Sequence, residues 1–124
     1  MLDESFDVDG LVRLRAAVAA YVGASGAGMS LDDVVLTAHE LCSNAVKYGG
    51  GSGRLRLWRE GRKILCRVSD SGAGMADPAG RGLEWPAPFA IGGRGLWIAR
   101  RLADVDIDTG PHGTTVTAAV TVQP

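Results

Sequence analysis

Apolar residues recur at helical spacing over residues 10–24, where Leu11, Leu14, Val18, Tyr21 and Val22 share one side, and again over residues 31–48. Asp9 stands where an N-cap of the first segment belongs. Gly23 through Gly28 break it, and Ser30 followed by Asp33 has the spacing of a capping box that opens the second. Gly49-Gly50-Gly51 ends that helix, and the period then changes from helical to two. Leu55 and Leu57 alternate with Arg54, Arg56 and Arg59; after Glu60-Gly61, Ile64, Cys66 and Val68 alternate with Lys63, Leu65 and Arg67. This is the pattern of a two-stranded hairpin with a basic outer face. From Ser69 to Gly93 the pattern gives way to Gly, Ala, Pro and Asp, a stretch long enough to expect a functional loop. A short helix near 95–103, a strand at 105–109, a Gly110-Pro111-His112-Gly113 turn and a strand at 114–122 complete the chain. The order helix, helix, hairpin, loop, helix, hairpin predicts one α+β domain over residues 1–124. It would be a two-layer sandwich with helices on one face of a mainly antiparallel mixed sheet, its other face open to a partner.

Composition narrows the function. The chain has 124 residues, 46% hydrophobic and 22% charged, which fits a globular domain with a real core. A net charge of -1 with scattered arginines gives no reason to expect direct nucleic-acid binding. No apolar run approaches the roughly 20 residues of a membrane span. Met1-Leu2-Asp3-Glu4 lacks the basic-then-apolar order of a secretion signal, so no membrane association and a cytoplasmic location are expected. Cys42 and Cys66 are too few for a disulfide framework and lack metal spacing, so both are expected as reduced, partly buried thiols. His39 and His112 also stand apart from any metal-like cluster. Glycine, at 18 residues, collects in loops at 49–53, 72–82 and 92–95, where a backbone without side chains can approach a ligand.

Three segments carry candidate chemistry. At about 100° per residue, Glu40, Asn44 and Lys47 fall within about 60° of one another on the second helix, opposite an apolar arc that includes Val34, Ala38 and Cys42. A carboxylate that takes a proton, an amide oxygen for a hard cation and an ammonium for phosphate are what Mg-nucleotide chemistry requires; a merely solvated polar face would show the same pattern. Asp70-Ser71-Gly72-Ala73-Gly74 leaves a strand end, where a carboxylate can accept a hydrogen bond from adenine's amine but not from guanine's carbonyl. Gly72 and Gly74 there would let the backbone pass close to a base and sugar, although Asp-Ser-Gly is also an ordinary turn. Gly92-Gly93-Arg94-Gly95-Leu96 precedes a helix whose free amides could receive phosphate. It is neither a Walker A sequence nor, lacking a preceding strand, a dinucleotide-binding fingerprint.

Glu40/Asn44, Asp70/Gly72/Gly74, Gly93/Gly95 and Gly113-Thr114-Thr115, in that order, resemble the nucleotide-binding (Bergerat) fold of DNA gyrase, heat-shock chaperone ATPases, histidine kinases and mismatch-repair ATPases. Within that superfamily the form from Glu40 to Gly49 and the Gly-Arg-Gly-Leu-Trp-Ile run from Gly93 look most like the bacterial anti-sigma-factor serine kinases. The resemblance implies ATP and Mg²⁺, with Glu40 as general base, Asn44 as metal ligand and Asp70 as adenine reader. It further implies Gly72 and Gly74 along the base and sugar, Gly93, Arg94, Gly95 and Leu96 at the phosphates, Thr114 supporting the adenine end and Lys47 as a phosphate contact. Residues Met75 to Ile91 match the position of an ATP lid, with Pro78, Pro86 and Pro88 within it and Trp85 and Phe89 as loop anchors or nucleotide contacts. The implied activity is phosphorylation of a serine on an anti-anti-sigma protein, coupled to sequestration of a sigma factor, with a homodimer as the expected assembly. Two rival functions stay open: a non-catalytic ATP-binding regulatory module, and the stand-alone catalytic domain of a split histidine kinase.

Overall fold

The computed structural model describes residues 1–24, 28–75, 78, 83 and 94–122. Strand β1 (Leu2–Asp7) leads through a 3₁₀ turn (Val8–Gly10) into helix α1 (Leu11–Ala24). Helix α2 (Leu31–Tyr48), strands β2 (Ser52–Glu60) and β3 (Lys63–Ser69), helix α3 (Arg94–Leu102) and strands β4 (Asp104–Gly110) and β5 (Gly113–Thr121) follow. The sheet order is β1-β2-β3-β5-β4, and among the described residues each of the four pairings is antiparallel, with no parallel pair to make the sheet mixed. The three helices cover one face, α2 between α1 and α3, as a two-layer α+β sandwich.

The period-two pattern places the core. Leu55 and Leu57 stand opposite Val68 and Cys66, and Ile64, Cys66 and Val68 opposite Val120, Ala118 and Val116. These side chains are buried beneath Val34, Val35, Ala38, Leu41, Cys42 and Ala45 of α2. Both cysteines are free and buried. Burial pushes the Cys42 thiol up to about 12, and burial reinforced by neighbouring Cys42 holds Cys66 well above its ordinary value.

Three expectations are corrected. Strand β1 has no clear alternation in Leu-Asp-Glu-Ser-Phe-Asp, and it forms because it completes an edge: its register sets Ser5 against Arg54 and Asp3 against Arg56. Asp3 takes a two-pronged bond from Arg54, Nε at 2.7 Å and Nη2 at 2.6 Å. Arg67 stacks on Trp58, 5.2 Å from the ring centroid, and donates to Thr117. The outer face of the hairpin is basic as expected, with Asp3 of the edge strand pairing Arg54 and with Arg67 held between Trp58 and Thr117. The cap ahead of α1 is Asp7, not Asp9: its Oδ1 accepts from the amides of Asp9 and Gly10. Ser30 makes no capping bond to α2; it is buried, and its hydroxyl donates to the Thr121 carbonyl at 3.4 Å.

Candidate functional site

The end of β3, the start of β5 and the C-terminal half of α2 meet because β5 pairs with β3 in mid-sheet and α2 runs above both. The ladder continues past the strand: the Asp70 amide donates to the Thr114 carbonyl at 2.9 Å. The Asp70 carboxylate then folds back, and its Oδ1 accepts from the Gly72 amide at 2.9 Å and the Thr114 amide at 3.2 Å. With Oδ1 so occupied, Oδ2 is the oxygen left for a ligand.

A pocket of about 320 Å³ opens beside this carboxylate. Its roof is Leu41, Asn44, Ala45 and Tyr48 of α2 with the capping Gly49, and its floor is Val68, Asp70, Thr114 and Val116; Gly74 and Met75 close one side and Leu96 of α3 another. Apolar walls with a few convergent polar groups suit a flat heteroaromatic ring with a polar edge.

At the other end of α2's polar stripe, α3 packs so closely that a Cβ on Gly95 would lie 3.0 Å from both Oδ1 and Nδ2 of Asn44 and 3.1 Å from Oε2 of Glu40. An amide oxygen and a carboxylate oxygen thus converge on a spot kept free of side chain. Among the described residues no group of three or more His, Cys, Asp or Glu could hold a metal. The Asn44 oxygen fits a Mg²⁺ that takes the rest of its shell from water and phosphate, with the Glu40 carboxylate beside it able to accept a proton.

The sequence-predicted residues divide accordingly. Asn44, Asp70, Gly74, Leu96 and Thr114 line the pocket, while Glu40 and Gly95 lie at its margin and Gly72 braces Asp70. Lys47 is exposed and outside the lining. Gly93, the side chain of Arg94, and the lid residues Trp85, Pro86, Pro88 and Phe89 lie outside the described residues. The glycines have a further reason to be glycine. A Cβ on Gly72 would lie 2.8 Å from Cα of Gly49, and one on Gly74, at φ +97°, would collide with the Gly110 carbonyl. Sequence reasoning assigned no site role to Tyr48 or Thr109, and it read Gly49 only as a helix end and Met75 only as the start of a lid. Only Gly49 carried a signal, as the first glycine after a polar helical stripe.

Residues 5–120 match the histidine kinase-like ATPase domain family, and the chain belongs to that family. It is thus an ATP-binding, kinase-like domain, and such domains usually bind ATP with Mg²⁺. Among solved structures, the histidine kinase domain of the Erythrobacter litoralis EL346 blue-light activated histidine kinase is similar at 18% identity and TM-score 0.60, covering 90% of this chain and 59% of that one. The mycobacterial sensor histidine kinase MprB matches at 16% identity and TM-score 0.59, covering 99% of each chain. The histidine kinase domain of the E. coli osmosensor EnvZ matches at 16% and 0.54, covering 98% of this chain and 89% of that one. These likenesses establish the fold, and the chain spans well under two thirds of the Erythrobacter protein's length. No curated protein sequence matches significantly. Among the described residues no helix is long and apolar enough to cross a membrane.

Proposed function

We propose that this domain is an ATP-dependent protein-serine kinase that phosphorylates an anti-anti-sigma partner and sequesters a sigma factor while that partner is phosphorylated. One observation carries the catalytic part: Glu40 and Asn44 converge at Gly95, at the margin of the pocket that holds Asp70. In this reading Asp70 Oδ2 accepts a hydrogen bond from the adenine amine, and Gly72 and Gly74 run beside the base and sugar. Asn44 Oδ1 would hold Mg²⁺, whose charge offsets that of the phosphates when bound. Arg94, Gly95 and Leu96 at the start of α3, together with Gly93 of the same motif, would receive the phosphates with backbone amides, and exposed Lys47 would meet them from the rim. Glu40 then accepts the proton of the partner's serine hydroxyl. The serine oxygen bonds to the γ-phosphorus as the bond to the β–γ bridging oxygen breaks, releasing ADP. Positioning and charge stabilisation dominate such transfers.

Serine as acceptor, and the sigma and anti-anti-sigma partners, are inferred from the Glu40–Gly49 and Gly93–Ile98 motifs. The test is incubation with γ-labelled ATP and a serine-bearing anti-anti-sigma protein, followed by acid treatment. Acid-stable label on serine is expected. Acid-labile label on a histidine of a separate chain would assign a split histidine kinase, and ATP binding with no transfer would assign the regulatory module.

A further inference from the structure

Behind the pocket wall two threonine hydroxyls meet: Thr109 Oγ1 of β4 and Thr114 Oγ1 of β5 are 2.7 Å apart across the turn that joins these strands. Thr109 Oγ1 also accepts the amide of Met75 at 2.8 Å. Thr114 and Met75 line the pocket, whereas Thr109 does not. The two hydroxyls carry two hydrogens, and their mutual bond uses one. The other has no protein acceptor among the described residues.

The polarity of this pair decides where the unused hydrogen points. If Thr114 donates, the spare hydrogen lies on Thr109, off the pocket, on an oxygen already accepting the Met75 amide. If Thr109 donates, Thr114 keeps its hydrogen and, being in the pocket wall, presents it to whatever occupies the pocket. Only the second arrangement lets ligand binding supply an acceptor for a buried hydroxyl hydrogen that otherwise has none among the described residues, an omission that is costly in a protein interior.

On the reading of this pocket as an adenine site, we infer that Thr109 is a specificity-determining positioning residue: it donates to Thr114, fixes that hydroxyl as a donor into the pocket, and clamps Met75 against the same wall. The pocket edge then presents a donor, the Thr114 hydroxyl, beside an acceptor, Asp70 Oδ2. Adenine offers the complement, an acceptor ring nitrogen beside a donor amine. Guanine offers a ring N–H beside a carbonyl, so both positions oppose it. Thr109 thereby acts on the base without touching it.

The test is calorimetric binding of MgATP and MgGTP to the whole chain and to Thr109→Val and Thr109→Ser, with amide exchange of Met75 followed in the ligand-free proteins. Thr109→Val keeps the volume and removes the hydroxyl. It is expected to weaken ATP about tenfold, the value of one hydrogen bond, to leave GTP within about twofold, and to speed Met75 exchange. Thr109→Ser is expected to restore both the ATP preference and Met75 protection. Equal weakening of ATP and GTP in Thr109→Val would reduce Thr109 to a structural residue and overturn the inference, as would an unchanged ATP preference. If the unaltered chain binds no ATP, the adenine-site reading fails first and the inference falls with it. Retained ATP binding with an indifferent Thr109→Val variant would remove the inference alone.

Discussion

Gly49→Ala tests whether the site depends on one missing side chain. Gly49 caps α2, its amide donating to the Ala45 carbonyl at 2.9 Å, and its φ of -109° is open to any residue. The added methyl, however, would collide with Oδ2 and Cγ of Asp70 and lie 2.8 Å from the Ala45 carbonyl oxygen. Either Asp70 swings aside, giving up two amide bonds to a charged acceptor with a net worth of about 1.5–3 kcal/mol each, or the end of α2 shifts at the lower overpacking cost of about 1–3 kcal/mol, which then sets the loss. Stability should fall by about 1–3 kcal/mol. Because either Oδ2 leaves its place or the helix end that roofs the pocket moves away from it, ATP affinity should fall about 10- to 100-fold, the loss of one charge-assisted hydrogen bond. Gly50→Ala is the control. At φ +94° an alanine there is strained, by about 1–2 kcal/mol, yet its Cβ would meet nothing closer than 3.8 Å. Denaturant unfolding and ATP titration of both variants should show two destabilised proteins and only one weak binder. Wild-type affinity in Gly49→Ala, or equal loss of affinity in both, would refute the reasoning.

Asp70→Asn should keep the fold, since its Oδ1 can still accept from Gly72 and Thr114, while an NH₂ replaces Oδ2; ATP should weaken about 100-fold by calorimetry. Glu40→Ala should bind MgATP within a few-fold of wild type and transfer phosphate at least about 100-fold more slowly, whereas Asn44→Ala should lose the Mg²⁺ dependence of binding itself. The Thr37 hydroxyl is fully buried in α2 with no hydrogen-bond partner among the described residues, so Thr37→Val should raise unfolding stability by about 1 kcal/mol. Both thiols are raised in the native state, which therefore keeps protons that the unfolded chain releases above about pH 9. Stability should be whole below that pH and fall as pH rises toward about 12, by about 1.4 kcal/mol per unit for each thiol, and Cys66→Ala should flatten the slope seen in denaturant titrations.

Much of this architecture is local and was legible in the chain. A 3.6-residue period in 11–24 and 31–48 and a period of two in 54–68 fix each element by the face it must bury, and those same periods put Glu40 and Asn44 on one stripe. Asp70 and Gly74 were legible only in company, since Asp-Ser-Gly alone is an ordinary turn and it is the order of Glu40/Asn44, Asp70/Gly72/Gly74 and Gly93/Gly95 along the chain that points to a site. Strand β1 was not, since an edge strand held by Asp3–Arg54 needs its partner before its pattern has meaning. Ser30 looked like a cap because capping is a local bond, but the end of β5 offered it a distant carbonyl. The two-hydroxyl link of Thr109 and Thr114, the collision that keeps Gly49 a glycine, and the approach of Gly95 to Asn44 and Glu40 depend on which strands lie side by side and how closely helices pack over them. Sequence spacing sets which residues share a face; only the folded chain sets which faces meet, and at distances where one methyl group decides the outcome.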